Sequence, residues 1–318
     1  MCRSCGQFLA VGLIITGVLA LASPIPGQTS GKDTGKDTAK GKDKVDPGKL
    51  KPDQAKVDLE KEKGEKHYKE IFETEEAPPF HESVHFLIYG KGNRNLVTFG
   101  TDLEQAYAKA CKVLELEPNP GPWPGKLTVF LIHDAKRYPQ SIRILQRRKA
   151  DDDEIGSYEM DPPTPHVTAC PSKVAGEQSM ESTACTQVGA WLISYKAKTR
   201  VPEWMGEGFG RATMLHVWGD KILAADRRKA AASINKDKRT LNDIITNNLK
   251  AEELPVLRAS FMDYLAYSNR TGKFLPILTG FSAPPKNTQA SFDAGLKNAD
   301  ISQENLDKNW QAYAKSFK

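Results

Sequence analysis

The sequence predicts an α+β fold, and three features carry that prediction. Short runs rich in strand formers come first, with helical periods between them. From about residue 177 onward the chain reads as mostly helical. A doubly wound parallel sheet would alternate strand and helix to its end, and this pattern does not. Finally, about 250 residues lie beyond a polar N-terminal stretch, enough for one large domain with its own core. The expected architecture is an N-terminal mixed sheet with helices, followed by a mostly helical C-terminal half.

The chain opens with Arg3 and an apolar run from Phe8 to Ala22. Roughly 15 apolar residues suit the core of a signal peptide and fall short of the ~20 that cross a bilayer as a helix. Ala20-Leu21-Ala22 offers small residues for cleavage before Ser23. Residues 1–22 are therefore expected to be a signal peptide, with a retained anchor as the alternative. The mature protein is expected to be secreted or periplasmic, with no stable membrane anchor after cleavage. Residues 23–70 are expected to be a disordered Lys/Asp/Gly-rich tether. The stretch 31–66 holds 11 Lys against 9 Asp plus Glu and no aromatic residue, too little apolar surface to offset ordering. Residues 71–318 are expected to form a single domain.

Along that domain, Val84–Tyr89 reads as a strand and Gly90–Asn93 as a turn. Leu96–Phe99 reads as a second strand of a hairpin. Thr101-x-x-Glu104 has the form of a capping box, opening a helix with Leu103, Ala106, Tyr107, Ala110, Cys111 and Leu114 on one face. Leu127–Ile132 reads as a third strand, 135–148 as a helix disturbed by Pro139, and His166–Ala169 as a last strand. Helical patterns then cover 180–196, 202–217, 220–235, 254–268, 272–281 and 301–316. The formal net charge of +5 is spread over tether and body. Arg147-Arg148-Lys149 and Arg227-Arg228-Lys229 read as solvated helix faces. No nucleic-acid partner is expected, since an exported chain rarely meets one.

Cys111, Cys170 and Cys185 remain after the expected signal segment. Cys170 and Cys185 are closest in sequence and the expected disulfide in an oxidising compartment. Cys111 lies in the apolar stripe of a helix and reads as a buried thiol.

His81-Glu82-Ser83-Val84-His85 has the letters of the zinc-hydrolase motif HExxH. Zinc requires both His nitrogens within about 2.1 Å of one ion. On a helix, residues i and i+4 lie about 6 Å apart along the axis and share a face. On a strand the same residues lie about 13 Å apart. Pro78-Pro79 before the motif, Gly90-Lys91-Gly92 after it and the β-rich interior ask for a strand. Glu104 lies 19 positions beyond His85, near gluzincin third-ligand spacing, so His81, His85 and Glu104 with Glu82 as base form the alternative, zinc-dependent reading.

The segment Val201-Pro-Glu-Trp-Met-Gly-Glu-Gly-Phe-Gly-Arg-Ala212 resembles the P-x-W-x-x-E-G-x-A segment of peptidase-MA-like gluzincins, zincin-fold metallopeptidases. The resemblance covers roughly residues 80–281 and implies a zincin-like fold. Within it, Glu207 matches the third zinc ligand. On the preceding helix, Thr186 matches the first His of HExxH, Gln187 the general base and Ala190 the second His. Threonine and alanine supply no imidazole, and glutamine takes no proton from water at neutral pH. At position 209–210, Phe-Gly stands where the family has a small residue. The resemblance therefore implies a peptidase-like protein with no zinc and no catalytic residue, binding a peptide or protein partner in the former active-site cleft. Glu207 has a plainer reading too, as a helix-start residue or the partner of Arg211 four positions on. A third reading, a hydrolase with another nucleophile, draws on Ser157, Ser182 or Cys185 with His133, His166 or His216, but no spacing singles out a triad and G-x-S-x-G is absent.

Overall fold

A computed structural model describes residues 53–161, 165–172, 179–268, 272–282 and 288–317. The expected signal peptide and the tether up to residue 52 lie outside the described residues. Strands β1 (Phe80–Glu82), β2 (Phe86–Gly90), β3 (Leu127–Leu131), β4 (Gly156–Glu159) and β5 (His166–Ala169) form one sheet in the order β1-β2-β3-β5-β4. The central strands β2, β3 and β5 run parallel, and both edge strands run antiparallel to their neighbours. The chain is α+β, and its sheet is mixed.

Alternation along the strands divides the core between two faces. Phe86, Ile88, Leu127, Val129 and Leu131 face helices α2 (Leu96–Leu114) and α4 (Met180–Ala197). Leu87, Tyr89, Phe130 and Ile132 face helices α1 (Gln54–Phe72) and α3 (Tyr138–Gln146). Among the described residues beyond α4 every element is helical: α5 (Glu203–Trp218), α6 (Asp220–Asp237), α7 (Leu241–Ile245), α8 (Leu254–Met262), a π-helical turn (Asp263–Tyr267), α9 (Phe274–Thr279), α10 (Thr288–Asn298) and α11 (Gln303–Lys315).

Helix α1 corrects the tether boundary at residue 70. Asp53 caps it by accepting from the Ala55 N–H. Val57, Glu60, Gly64, Tyr68 and Ile71 recur at helical spacing on its buried side. Gly64 is needed there, because a Cβ would lie 2.5 Å from the Tyr89 ring, whose hydroxyl donates to the Lys61 carbonyl at 2.9 Å. Each large apolar side chain buried this way contributes roughly 1.5–3 kcal/mol. Three well-placed residues thus order a segment whose average composition is that of a linker.

The expected strand at Leu96–Phe99 is instead the first turn of α2. Asn95 caps it by accepting from the Val97 N–H at 2.8 Å, six residues before the Thr101 capping box that sequence favoured. Phe99 and Leu103 then point inward together, a helical rather than an alternating pattern. Strand β4 and helices α7 and α10 were not foreseen. The single helix expected over 254–268 is α8 ending in the π-helical turn.

The expected Cys170–Cys185 disulfide does not form. Cys185 is packed with α2 and α4 on one side of the sheet and Cys170 with α1 and α3 on the other. All three described cysteines are unbridged thiols in buried positions. Among the described residues, no helix is long and apolar enough to cross a membrane.

Candidate functional site

The HESVH letters fall on β1 and the bend after it, so the expected strand holds at His81 and Glu82, while Val84 and His85, expected in the strand Val84–Tyr89, precede β2. His81 pairs with Ile88 across the β1–β2 ladder, and its ring lies against Gly100 of α2. Glu82 is held between two ammonium groups, Lys126 and Lys61, each at 2.6 Å. Burial works against its charge, but the two lysines outweigh it and hold the carboxyl below its usual range. A carboxylate so fixed is a poor base for a water.

His85 and Glu104 do meet, across the 19 positions that drew attention to them, but as hydrogen-bonding partners. Glu104 Oε2 lies 2.6 Å from His85 Nδ1, and its other oxygen accepts from the His85 backbone N–H and the Ser83 hydroxyl, each at 2.7 Å. Burial pushes the Glu104 carboxyl up, and these bonds more than reverse it, leaving it lowered. The second ring nitrogen of His85 lies 2.9 Å from Asn119 Oδ1. Both nitrogens that could bind zinc are therefore engaged, and His81 lies away on the strand. Zinc does not fit His81, His85 and Glu104. Among the described residues no group of three His, Cys, Asp or Glu side chains is placed to hold a metal ion.

The second candidate lies where α4 and α5 cross. Thr186, Gln187 and Ala190 are all buried in α4. A Cβ on Gly189 would lie 2.4 Å from the Gly210 Cα, so the two backbones touch. One turn away, a Cβ on Gly206 would sit 3.4 Å from the Ala190 Cβ. Small residues on both helices permit this approach, and it leaves no gap for two imidazoles and an ion. On the other side, α4 is fastened to edge strand β4. The Trp191 indole N–H donates to the Glu159 carbonyl at 3.0 Å, and Tyr158 and Ser194 hydroxyls meet at 2.9 Å. Gly156 of β4 is pressed against Thr183 and Gln187. The floor of the cleft expected between sheet and helices is thus a packed contact.

Glu207 is held by Arg258 of α8, not by Arg211. Arg258 Nη1 lies 2.7 Å from Glu207 Oε2 and 3.2 Å from Glu203 Oε1, while Nη2 donates to Asn247 Oδ1 at 2.9 Å. Arg211 pairs instead with Asp226 at 2.7 Å. Burial and then the neighbouring Glu203 carboxylate push the Glu207 pKa up to about 7, against the pull of Arg258. Its side chain still keeps 35% of its surface open. Glu207 is therefore a recessed carboxylate that shares one guanidinium with a second acid.

The alternative nucleophiles are occupied. The Ser157 hydroxyl accepts from Arg148 at 2.8 Å and donates to Gln146 at 3.0 Å. The Ser182 hydroxyl turns to the Met214 sulfur, and burial pushes the Cys185 thiol well up. His133 stacks on Phe72. His216 belongs to a polar centre that sequence reasoning missed. Asp263, 2% exposed, takes His216 Nε2 at 2.7 Å, Arg227 Nε at 2.7 Å and the Tyr313 hydroxyl at 2.9 Å. Burial opposes its charge, yet these donors hold its carboxyl below the usual range. Four elements meet at this one carboxylate, and it sits at the start of the π-helical turn. No single motif encodes it, because its members are spread from residue 216 to residue 313.

Compared with known proteins, the chain matches no family model, no curated protein and no solved structure.

Proposed function

We propose that the chain is an exported, peptidase-like protein without hydrolytic activity, built on a zincin-like scaffold and used for binding a peptide or protein partner. The observation that carries this reading is the α4–α5 crossing. The residues matching the zinc ligands and the base are Thr186, Gln187 and Ala190, and the helices touch through glycine where an ion would sit. The one matching carboxylate, Glu207, is bound by Arg258. A mixed sheet followed by this helix pair agrees with the resemblance read from Val201–Ala212. The packed floor moves the binding role to the rim of the former cleft. There Arg200 stacks over Tyr158 at 4.6 Å, and Glu203 and Glu207 share Arg258 one turn into α5.

Elemental analysis of the purified full chain, together with a peptide-cleavage assay with and without chelator, tests the reading. Zinc far below one equivalent per chain and no chelator-sensitive cleavage are expected. One zinc per chain, or cleavage abolished by chelator, would overturn it.

A further inference from the structure

Four aromatic rings run in contact from the core to the surface. Tyr107 of α2 lies 5.4 Å from Trp123, in the loop before β3, and Trp123 lies 5.1 Å from Trp191. Trp191 stacks on Tyr195 at 5.4 Å, one turn further along α4. At such spacing the π-systems touch, and an electron passes readily from ring to ring. The first three rings belong to the core, whereas Tyr195 is 40% exposed. All nine tyrosines are described, and no other is exposed. The four rings also differ in where a proton can go. An oxidised indole or phenol is a strong acid, and losing the proton is what removes its charge. The Trp191 N–H donates to the Glu159 backbone carbonyl at 3.0 Å, and the Tyr107 hydroxyl to the Pro118 carbonyl at 2.8 Å. Amide carbonyls accept these bonds but do not take the proton. Trp123 Nε1 is buried with no hydrogen-bond partner at all. A positive charge left on either indole would sit inside the hydrophobic core, which is costly. Tyr195 alone meets water, and water takes a phenolic proton.

We propose that one-electron oxidation of Trp123 and Trp191 is discharged on Tyr195, which makes Tyr195 the oxidative modification site of the chain. A one-electron oxidant takes an electron from an indole and leaves a radical cation. Tyr195 returns an electron through Trp191 and releases its phenolic proton to water. Both indoles are then restored, and one tyrosyl radical remains at the surface. Two such radicals on separate chains join through a new ring C–C bond and lose two protons. Trp204 and Trp310 give the contrast within the same molecule. Their ring neighbours among the described residues are Phe261, Phe281 and Phe292, and phenylalanine is far harder to oxidise. Charge on those two indoles has no such outlet. The inference goes beyond the binding reading and does not depend on it.

Photo-oxidation of the full chain tests it. The indoles are excited at the red edge of their absorption, where tyrosine does not absorb. A cobalt(III) ammine complex accepts the electron and becomes cobalt(II), and a nitrone traps protein radicals. Peptide mass spectrometry then maps nitrone adducts and oxidised indoles. In wild type the tyrosine adduct is expected at Tyr195, with Trp123 and Trp191 less oxidised than Trp204 and Trp310. Trp191→Phe breaks the chain of rings. Its Tyr195 adduct is expected to fall to the level of the buried tyrosines, while oxidation at Trp123 rises to that of Trp204. Tyr195→Phe removes the outlet. Oxidation is then expected to rise at Trp191 and Trp123 and to stay unchanged at Trp204 and Trp310. Thermal unfolding checks each variant. Tyr195→Phe removes one hydroxyl from an exposed side chain, so it decides the matter if Trp191→Phe does not fold. A Tyr195 adduct that persists in folded Trp191→Phe, or equal oxidation of Trp123 and Trp191 in wild type and Tyr195→Phe, overturns the proposal.

Discussion

The Cα of Gly210 lies directly beneath the main chain of Thr186: a methyl group at 210 would fall 1.9 Å from the Thr186 carbonyl oxygen. Since that oxygen is backbone in the middle of α4, it cannot swing aside. Gly210→Ala is therefore expected to force the helices apart and cost at least 1–3 kcal/mol, the usual range for overpacking. Urea denaturation reads this as a lower midpoint at unchanged slope. A wild-type midpoint in the variant would mean the crossing is looser than described.

Glu207 gives stability an inverted dependence on pH. Its folded pKa, about 7, stands above its ordinary value of 4.5. A carboxyl raised in this way favours the folded state while protonated. Its contribution is complete below about pH 4.5 and is lost as pH rises through about 7. Glu207→Gln mimics the neutral form. The variant is expected to gain stability relative to wild type between pH 5 and 8, at roughly the slope that linkage allows for part of one proton. Chemical denaturation at three pH values measures it, and parallel curves for the two proteins would refute the assignment.

Asp263 works in the opposite sense. Its donors lower its pKa from the ordinary 3.8, so its contribution is present above that value and is lost as pH falls through the lowered one. Asp263→Asn leaves His216 and Arg227 without their shared charge. A loss of about 3–5 kcal/mol is expected at neutral pH, the range for breaking one side of a buried ion pair. The deficit should shrink in acid, where the wild-type carboxyl is also neutral. Acid titrations followed by circular dichroism distinguish this from a deficit that is flat with pH.

Zinc should not stabilise the folded chain. A site that bound the ion a hundredfold below its concentration would add about 2.7 kcal/mol. His85→Ala is expected to lower stability by about 1–3 kcal/mol through loss of its bonds to Glu104 and Asn119, with or without added zinc. A rise in Tm with zinc in wild type that vanishes in His85→Ala would restore the HExxH reading.

Much of the fold was legible because its strongest signals are local. Leu127–Leu131 is a strand by composition alone, and α4 and α5 follow from long helical periods closed by Pro202. Pro78-Pro79 and Gly90 leave no room for a helix, so the segment read as strand, but the bend that puts His85 between β1 and β2 was not readable. Leu96–Phe99 misled because Val97, a β-branched residue, sits exposed in the first turn of a helix whose burial begins only at Phe99. Residue type there reflects a surface that tolerates anything, and only the Asn95 cap marks the true start. The 19-residue gap between His85 and Glu104 correctly announced a contact, but spacing could not say whether a metal or a proton lies between them. The Cys170–Cys185 pairing failed because sequence distance is blind to a sheet standing between two residues. Arg258 as the partner of Glu207 was not readable at all, since 51 positions separate them and no pattern links α5 to α8.

Helix α1 also decides where the chain may be cut. The face formed by Leu87, Tyr89 and Phe130 is covered by Val57, Tyr68 and Ile71. A fragment starting at residue 71, where the composition changes, would leave that face bare and sticky. One starting near Asp53 would keep its lid. Helix α1 thus belongs to the same folded unit as the sheet it covers, although its composition is that of a linker.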